Sequence, residues 1–131
     1  MVIEVACAII IRGNEVLLAQ RSEKMKNPLM WEFPGGKLEK GELPESTVIR
    51  EIREELCIDI ECVEALPNYT YHYNDKIIHL YPYLCEYKNG TLTLREHKDI
   101  HWVNIKQILD YQMSAADIPA AKLLQARLSK N

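Results

Sequence analysis

No apolar run in this chain reaches the roughly 18 residues that a membrane-spanning helix needs. The apolar stretch Val5 to Ile11 is far shorter, and Glu4 and Arg12 flank it. A basic start and a small-residue cleavage site are also missing, so nothing reads as a signal peptide. The expected compartment is the cytoplasm, with no membrane partner. There is no Cys-x2-Cys pair among Cys7, Cys57, Cys62 and Cys85, which disfavours zinc. Free cysteines of a cytosolic chain stay reduced, so all four are read as packing residues. Basic charge is not in excess: the net charge is −3 and the pI about 5.8. That argues against a nucleic-acid polymer as partner. It leaves room for a small phosphorylated substrate, which needs only local cations. Repeats, linkers and low-complexity tails are absent too, so the 131 residues are read as one domain spanning 1–131.

Taken in order, Val2 to Arg12 is β-branched and apolar and predicts a buried strand. Gly13-Asn14 is a two-residue hairpin signal, with a return strand over Glu15 to Arg21. Ser22 to Leu29 predicts a basic surface loop, and Trp31 to Phe33 a short strand. Pro34 and the glycine pair are read as turning the chain into a polar loop. Pro44 fits the first turn of a helix that runs to about Leu56. Strands are expected over Asp59 to Leu66 and over a hairpin of Tyr69–Tyr73 and Lys76–Tyr87. Asn89-Gly90 reads as a turn into a brief strand over Thr91 to Leu94. Asp99 to Val103 is another strand, after which Asn104 can cap a short helix to about Tyr111. Ser114 or Asp117 starts a terminal helix with Leu123, Leu124 and Leu128 as its apolar face. The sum is an α+β domain.

The informative stretch is Gly35 to Ile58, GGKLEKGELPESTVIREIREELCI. On a helix, Glu51, Glu54 and Glu55 share one arc, while Val48, Ile52 and Leu56 share the adjoining one. Like charges at these spacings cost roughly 0.2–0.5 kcal/mol per pair. Arg50 can relieve Glu54 at i,i+4, but neither Glu51 nor Glu55 has a cation at helical spacing. A hard divalent ion would relieve them, and clustered carboxylates suit Mg²⁺. A solvated acidic face is the plainer reading of three acids alone.

With its spacing, the stretch is G-x5-E-x7-R-E-[apolar]-x-E-E-x-x-[apolar], from Gly36 through Glu42, Arg50, Glu51, Ile52, Glu54 and Glu55 to Ile58. This resembles the signature of the Nudix hydrolases, with one departure: Cys57 stands where the family has glycine. That position lies just past the helix, where left-handed backbone is common, so a non-glycine residue there costs roughly 1–2 kcal/mol. Met1 to Arg21, Trp31 to Gly36, Lys76 to Leu80, Glu96-His97 and Ala115 to Pro119 look like the MutT branch, and within it most like the bacterial CTP pyrophosphohydrolases.

The resemblance implies an α/β/α sandwich around a central mixed sheet, with the signature loop-helix at its edge. It implies a Mg²⁺-dependent enzyme, with Mn²⁺ an alternative ion, that splits nucleoside triphosphates into monophosphate and pyrophosphate. Cytidine nucleotides, 5-modified dCTP and oxidised guanine nucleotides are the expected substrates. ADP-ribose or a dinucleoside polyphosphate is the competing substrate class; a catalytically silent nucleotide-binding domain is the competing class of function. The implied metal ligands are Glu51, Glu54, Glu55 and Glu96, with the Gly35 carbonyl. Glu55 or Glu96 is the general base. Arg50 orients a glutamate, and Glu42 braces the loop. Lys37 is a candidate for the substrate's phosphates, and Arg21 is a candidate substrate-binding residue. Tyr71, Tyr73, His79, Tyr81 and Tyr83 are candidates for a base-stacking wall, and ordinary sheet packing is the plainer reading of each. His97 is read as a loop residue. Asp117, if it reads the base, is expected to be ionised and acceptor-only. It then matches an exposed amino group, such as cytosine N4 or the guanine edge, and opposes uracil O4; otherwise it is a helix cap. The chain is expected to act as a monomer or homodimer.

Overall fold

Alternation along the first strand sets the architecture. The computed structural model describes residues 1–128. Strand β1 spans Val2–Arg12 and carries apolar residues on both faces. Cys7 and Ile9 point into one core, and Ala6, Ala8 and Ile10 into another. Two cores on opposite faces of one strand mean that the sheet is covered on both sides.

Gly13-Asn14 forms the two-residue turn into β2, Glu15–Gln20, with Arg12 opposite Glu15. Strand β3, Trp31–Glu32, pairs with β2. The glycine pair does not leave the sheet at once, as the sequence suggests. Gly35–Lys37 forms a strand, β4, antiparallel to β1. The missing Cβ atoms are what let these backbones approach so closely. A Cβ on Gly35 would run into the Ala6 carbonyl and the Cys7 backbone.

Helix α1 spans Pro44–Leu56, with Pro44 in its first turn. Val48, Ile52 and Leu56 bury its apolar stripe against Ala6, Ala8, Ile10 and Leu17. Cys57 ends the helix in the left-handed conformation, φ 60° and ψ 29°, and its N–H donates to the Arg53 carbonyl. The chain therefore keeps the glycine-type ending and carries the backbone strain of a side chain there.

Strand β5, Ile58–Ala65, and strand β6, Tyr69–His72, both pair antiparallel with β7, Ile77–Gly90. Strand β7 in turn lies parallel to β1 from Val2↔Ile77 to Ile11↔Glu86, so the sheet is mixed. The strand order is β3-β2-β1-β7-β5, and β8, Asp99–Asn104, pairs with β2. Two sequence expectations fail here. Asn89-Gly90 is not a hairpin turn, because Ile58 and Asp59 pair with these residues and extend β7. Thr91 to Leu94 forms no strand.

Asn104 caps a 3₁₀ turn over Ile105–Asp110, its side chain accepting from the Lys106 N–H at 2.9 Å. A short 3₁₀ turn over Ala115–Asp117 leads into α2, Ile118–Leu128. Its buried face is Ala120, Ala121 and Leu124, whereas Leu128 is exposed and Leu123 only partly covered. Helix α2 packs on the sheet face opposite α1, which completes an α/β/α sandwich. The four cysteines are free. Among the described residues no helix is long and apolar enough to cross a membrane.

Candidate active site

Arg50 is the hub of the loop-helix. Its Nε and Nη2 donate to the two oxygens of Glu42 at 2.7 and 2.9 Å, a bidentate pair. Its Nη1 donates to Glu51 at 2.8 Å and to Glu54 at 3.3 Å. The i,i+4 bridge to Glu54 is thus present but is the longest of these bonds, and Glu51 has a cation partner that helical spacing did not suggest. Glu42 also accepts from the Glu39 N–H at 3.0 Å and the Thr47 hydroxyl at 2.7 Å. Arg50, then these donors, lower its pKa to about 2. Glu42 braces the loop. Gly36 lies so close beneath α1 that a Cβ would strike the Glu51 carboxyl.

The three helix glutamates sit in different surroundings. Glu54 is largely exposed, at 59% for its side chain, while Glu55 is at 7%. Burial pushes the Glu55 carboxyl well above the usual range, and the neighbouring Glu51 carboxyl adds to the effect, followed by the charges of Glu32 and Glu96. Glu55 Oε1 has no hydrogen-bond partner. A buried, unpartnered acid oxygen amid other acids fits a divalent cation, which would supply the missing charge. The expected convergence of three glutamates is not preformed. Among the described residues no three His, Cys, Asp or Glu side chains are gathered into a cation cage. Arg50 bonds Glu54 at 3.3 Å on the exposed side of the helix, while Glu51 lies beside Glu55. Glu96 is exposed in the loop before β8.

His97 is no simple loop residue. Its side chain is 2% exposed, and Nε2 lies 2.8 Å from Glu32 Oε2. Its Nδ1 stands 3.9 Å from Glu55 Oε1. Glu32 also accepts from Arg21 Nη1 at 2.8 Å. Arg21 is held in turn by the Lys26 carbonyl at 2.5 Å. The loop that supplies this carbonyl puts Asn27 and Leu29 at positive φ, 51° and 65°. Glu32 and His97 were missed as site residues. Both lie in phrases that carry the MutT resemblance, Trp31 to Gly36 and Glu96-His97, but no spacing rule connects residues 65 positions apart.

A cleft of about 240 Å³ opens on the α2 face of the sheet. Val5, Cys7, Ile78 and Leu80 form its apolar floor; Arg21, Glu32, Lys37 and Lys76 bring charge to it, and Asp117 a carboxyl group. Gly35 and Gly36 line one end, next to Glu51. Asp117 does not cap a helix: its Oδ2 accepts the Phe33 N–H at 2.9 Å. Nor is it acceptor-only at neutral pH. Burial, then the charge of Glu32, pushes its pKa up to about 8. With Oδ2 taken by an N–H, the proton belongs on Oδ1, and the carboxyl can present a donor to the cleft.

Tyr73 lines the cleft, and its hydroxyl accepts the Ala116 N–H at 3.0 Å. Tyr69 donates to the Ala116 carbonyl at 2.6 Å. The two tyrosines thereby hold the turn that carries Asp117. His79 and Tyr81 are not at the cleft. Successive residues of a strand face opposite ways, and the odd positions of β7 face the α1 layer, where Tyr81 and Tyr83 pack. His79 bonds Thr70 and Asn68, and Tyr81 donates to Glu4 at 2.8 Å. Ser114, beside Asp117 in the cleft wall, has a buried hydroxyl without a partner.

The NUDIX domain family matches the chain over residues 2–125. The chain belongs to the Nudix family. This Nudix domain is 36% identical over 124 residues to a CTP pyrophosphohydrolase of Escherichia coli (strain K12), covering 95% of this chain and 92% of that one. It is 30% identical over 109 residues to an 8-oxo-dGTP diphosphatase of the same strain, covering 83% and 81%. The solution structure described as DNA mismatch repair protein MutT, family Nudix hydrolase, from methicillin-resistant Staphylococcus aureus 252 superposes with a TM-score of 0.78. It is 42% identical and covers 97% of this chain and 98% of that one.

Proposed function

We propose that this Nudix domain is a Mg²⁺-dependent nucleoside triphosphate pyrophosphohydrolase, converting an NTP or dNTP and water to the monophosphate and pyrophosphate. One observation carries the reading. A single cleft has Asp117 and Tyr73 in its wall and the Gly35–Lys37 strand at the end that abuts Glu51. A base can enter the first region while the phosphates reach the second. The relatives named for CTP and 8-oxo-dGTP support the same reaction class.

Bound Mg²⁺ supplies charge neutralisation at the phosphates. Glu51, Glu54, Glu55 and Glu96, with the Gly35 carbonyl, are the groups that would hold it. The chain's own work is positioning. Arg50 fixes Glu51 through the braced loop. Lys37 brings a cation to the phosphate path, and Arg21, held by Glu32, lines the same cleft. Glu55, buried and short of partners, is the first candidate to take a proton from water, with Glu96 the second. Asp117 meets the base edge. The relatives named for CTP and 8-oxo-dGTP make CTP, 5-modified dCTP and 8-oxo-dGTP the first substrates to assay.

The test is a nucleotide panel with Mg²⁺, reading both phosphate and pyrophosphate. Release of pyrophosphate with stoichiometric monophosphate supports the reading. Release of orthophosphate, or turnover only of ADP-ribose or dinucleoside polyphosphates, sinks it.

A further inference from the structure

The chain Arg21–Glu32–His97–Glu55 joins the cleft to the acid helix, and its middle members have no role in the reaction as set out above. Its first two links are short: Arg21 to Glu32 at 2.8 Å and His97 to Glu32 at 2.8 Å. The third, His97 Nδ1 to Glu55 Oε1, is 3.9 Å. Both atoms of that open link are buried and lack any hydrogen-bond partner. Two adjacent buried polar atoms left unpaired are costly, and such groups call for an explanation beyond packing.

The ring has no freedom to turn away. Glu32 accepts on Oε2, so Nε2 donates to it and Nδ1 is directed at Glu55. That link needs one proton, donated by Nδ1 of an imidazolium to the carboxylate or by the Glu55 carboxyl to Nδ1. Arg21 holds Glu32 from the far side, and Lys26 holds Arg21. The gap of 3.9 Å is too short for a bridging water. A movement of about 1 Å closes it to hydrogen-bond length. Links of this kind are often long before substrate arrives.

We propose that His97, held by Glu32, is a positioning residue that orients the Glu55 carboxyl for its work on the metal and the attacking water. The assignment rests on the pyrophosphohydrolase reading for its kinetic consequences, though not for its metal-binding ones. His97 touches neither substrate nor reacting atoms and acts through Glu55. Groups that orient a metal-binding carboxylate or imidazole are worth about 10–100-fold in affinity or turnover.

The test uses His97→Ala and His97→Phe in the whole chain. Phe keeps the ring's bulk and loses both nitrogens. Thermal unfolding first identifies which variant is folded at the assay temperature, and the larger side chain covers the case in which the Ala variant is not. Mn²⁺ binding is then measured by the paramagnetic signal of the free ion, without nucleotide. kcat and KM are measured with CTP, or with the fastest nucleotide of the panel. The expected result is Mn²⁺ binding weakened about 10-fold or more, kcat lowered about 10–100-fold and KM changed less than about 3-fold. Free imidazole should restore part of the kcat of His97→Ala and none of that of His97→Phe. A residue that only packs would shift the unfolding temperature and leave Mn²⁺ affinity alone. Wild-type Mn²⁺ affinity and kcat in either folded variant would overturn the proposal. If the wild type bound Mn²⁺ but split no nucleotide, the pyrophosphohydrolase reading would fail while the Mn²⁺ comparison still decided the role of His97.

Discussion

Glu42 and Arg50 meet across 8 residues of sequence, whereas Phe33 and Asp117 meet across 84. The first pair belongs to the acid helix and its loop, the second to the cleft wall, and both serve the same cleft. On the helix side, local spacing does nearly everything: one turn carries Glu51, Glu54 and Glu55, and one loop brings Glu42 back to Arg50. On the wall side nothing is local. Asp117 is placed by a backbone N–H from the strand region and by two tyrosines from the β6 hairpin. On the pyrophosphohydrolase reading, the reaction class rests on a short motif, and base choice on tertiary contacts that can change without disturbing it. Relatives named for CTP and for 8-oxo-dGTP on one fold are what such a division allows.

The largest effect should come from the helix side. Glu55→Gln keeps the shape and removes a charge, and kcat should fall at least about 10²-fold for every nucleotide tested. Chelator should abolish turnover, and Mg²⁺ should restore it while raising the unfolding temperature by binding the native state. Turnover undiminished in excess chelator would break the helix side of the comparison.

The two glycines separate function from stability. Gly36→Ala pushes on the Glu51 side chain, which can move, so kcat should drop about 10–100-fold with little change in unfolding temperature. Gly35→Ala pushes on the Ala6 and Cys7 backbone, which cannot, so stability itself should fall by about 1–3 kcal/mol or more. Equal effects of the two on stability would show that Glu51 is not free to yield.

Asp117 should govern how stability depends on pH on the wall side. Its pKa is raised from 3.8 to about 8 in the folded chain, so the native state holds a proton that the unfolded state releases. Its contribution is complete below the ordinary aspartate pKa and is lost as pH rises to about 8. Asp117→Asn copies the protonated form and lacks this slope. Denaturant unfolding of both proteins from acid to mild alkali should show the variant gaining on the wild type across that window; parallel curves would place the Asp117 pKa near normal.

The smallest effect concerns Cys57. Cys57→Gly relieves left-handed strain of roughly 1–2 kcal/mol and loses about 0.4–1 kcal/mol through a looser unfolded chain. A net gain of about 0–1.6 kcal/mol is expected by thermal unfolding, with kcat unchanged.

The same division explains what the sequence disclosed. Glu51, Glu54, Glu55 and Arg50 were legible because helical geometry turns spacing into placement, and Glu42 because it stands at a fixed position of the Nudix signature before the helix. Strand β1 was legible as a β-branched apolar run, β2 from the Gly13-Asn14 turn before it, and β7 from its alternating faces. Glu32 and His97 were not, because a buried bond across 65 residues leaves no periodic trace. Assigning His79 and Tyr81 to the cleft took them for wall residues, when the odd positions of β7 face α1. Nor can burial be read from one aspartate in a sequence, and burial is what makes Asp117 a donor at neutral pH.

The most direct test of the division is the ratio of kcat/KM for CTP over UTP, followed from about pH 6 to about pH 9 in wild type and Asp117→Asn. The ratio cancels any titration on the helix side, since both substrates share it. A neutral Asp117 offers a proton to a carbonyl such as uracil O4; an ionised one accepts from the cytosine amino group. The wild-type ratio should therefore rise as pH passes about 8, and the Asn variant, which cannot lose that proton, should give a flat line. A flat wild-type ratio, or a variant that tracks it, would contradict the assignment of base choice to Asp117.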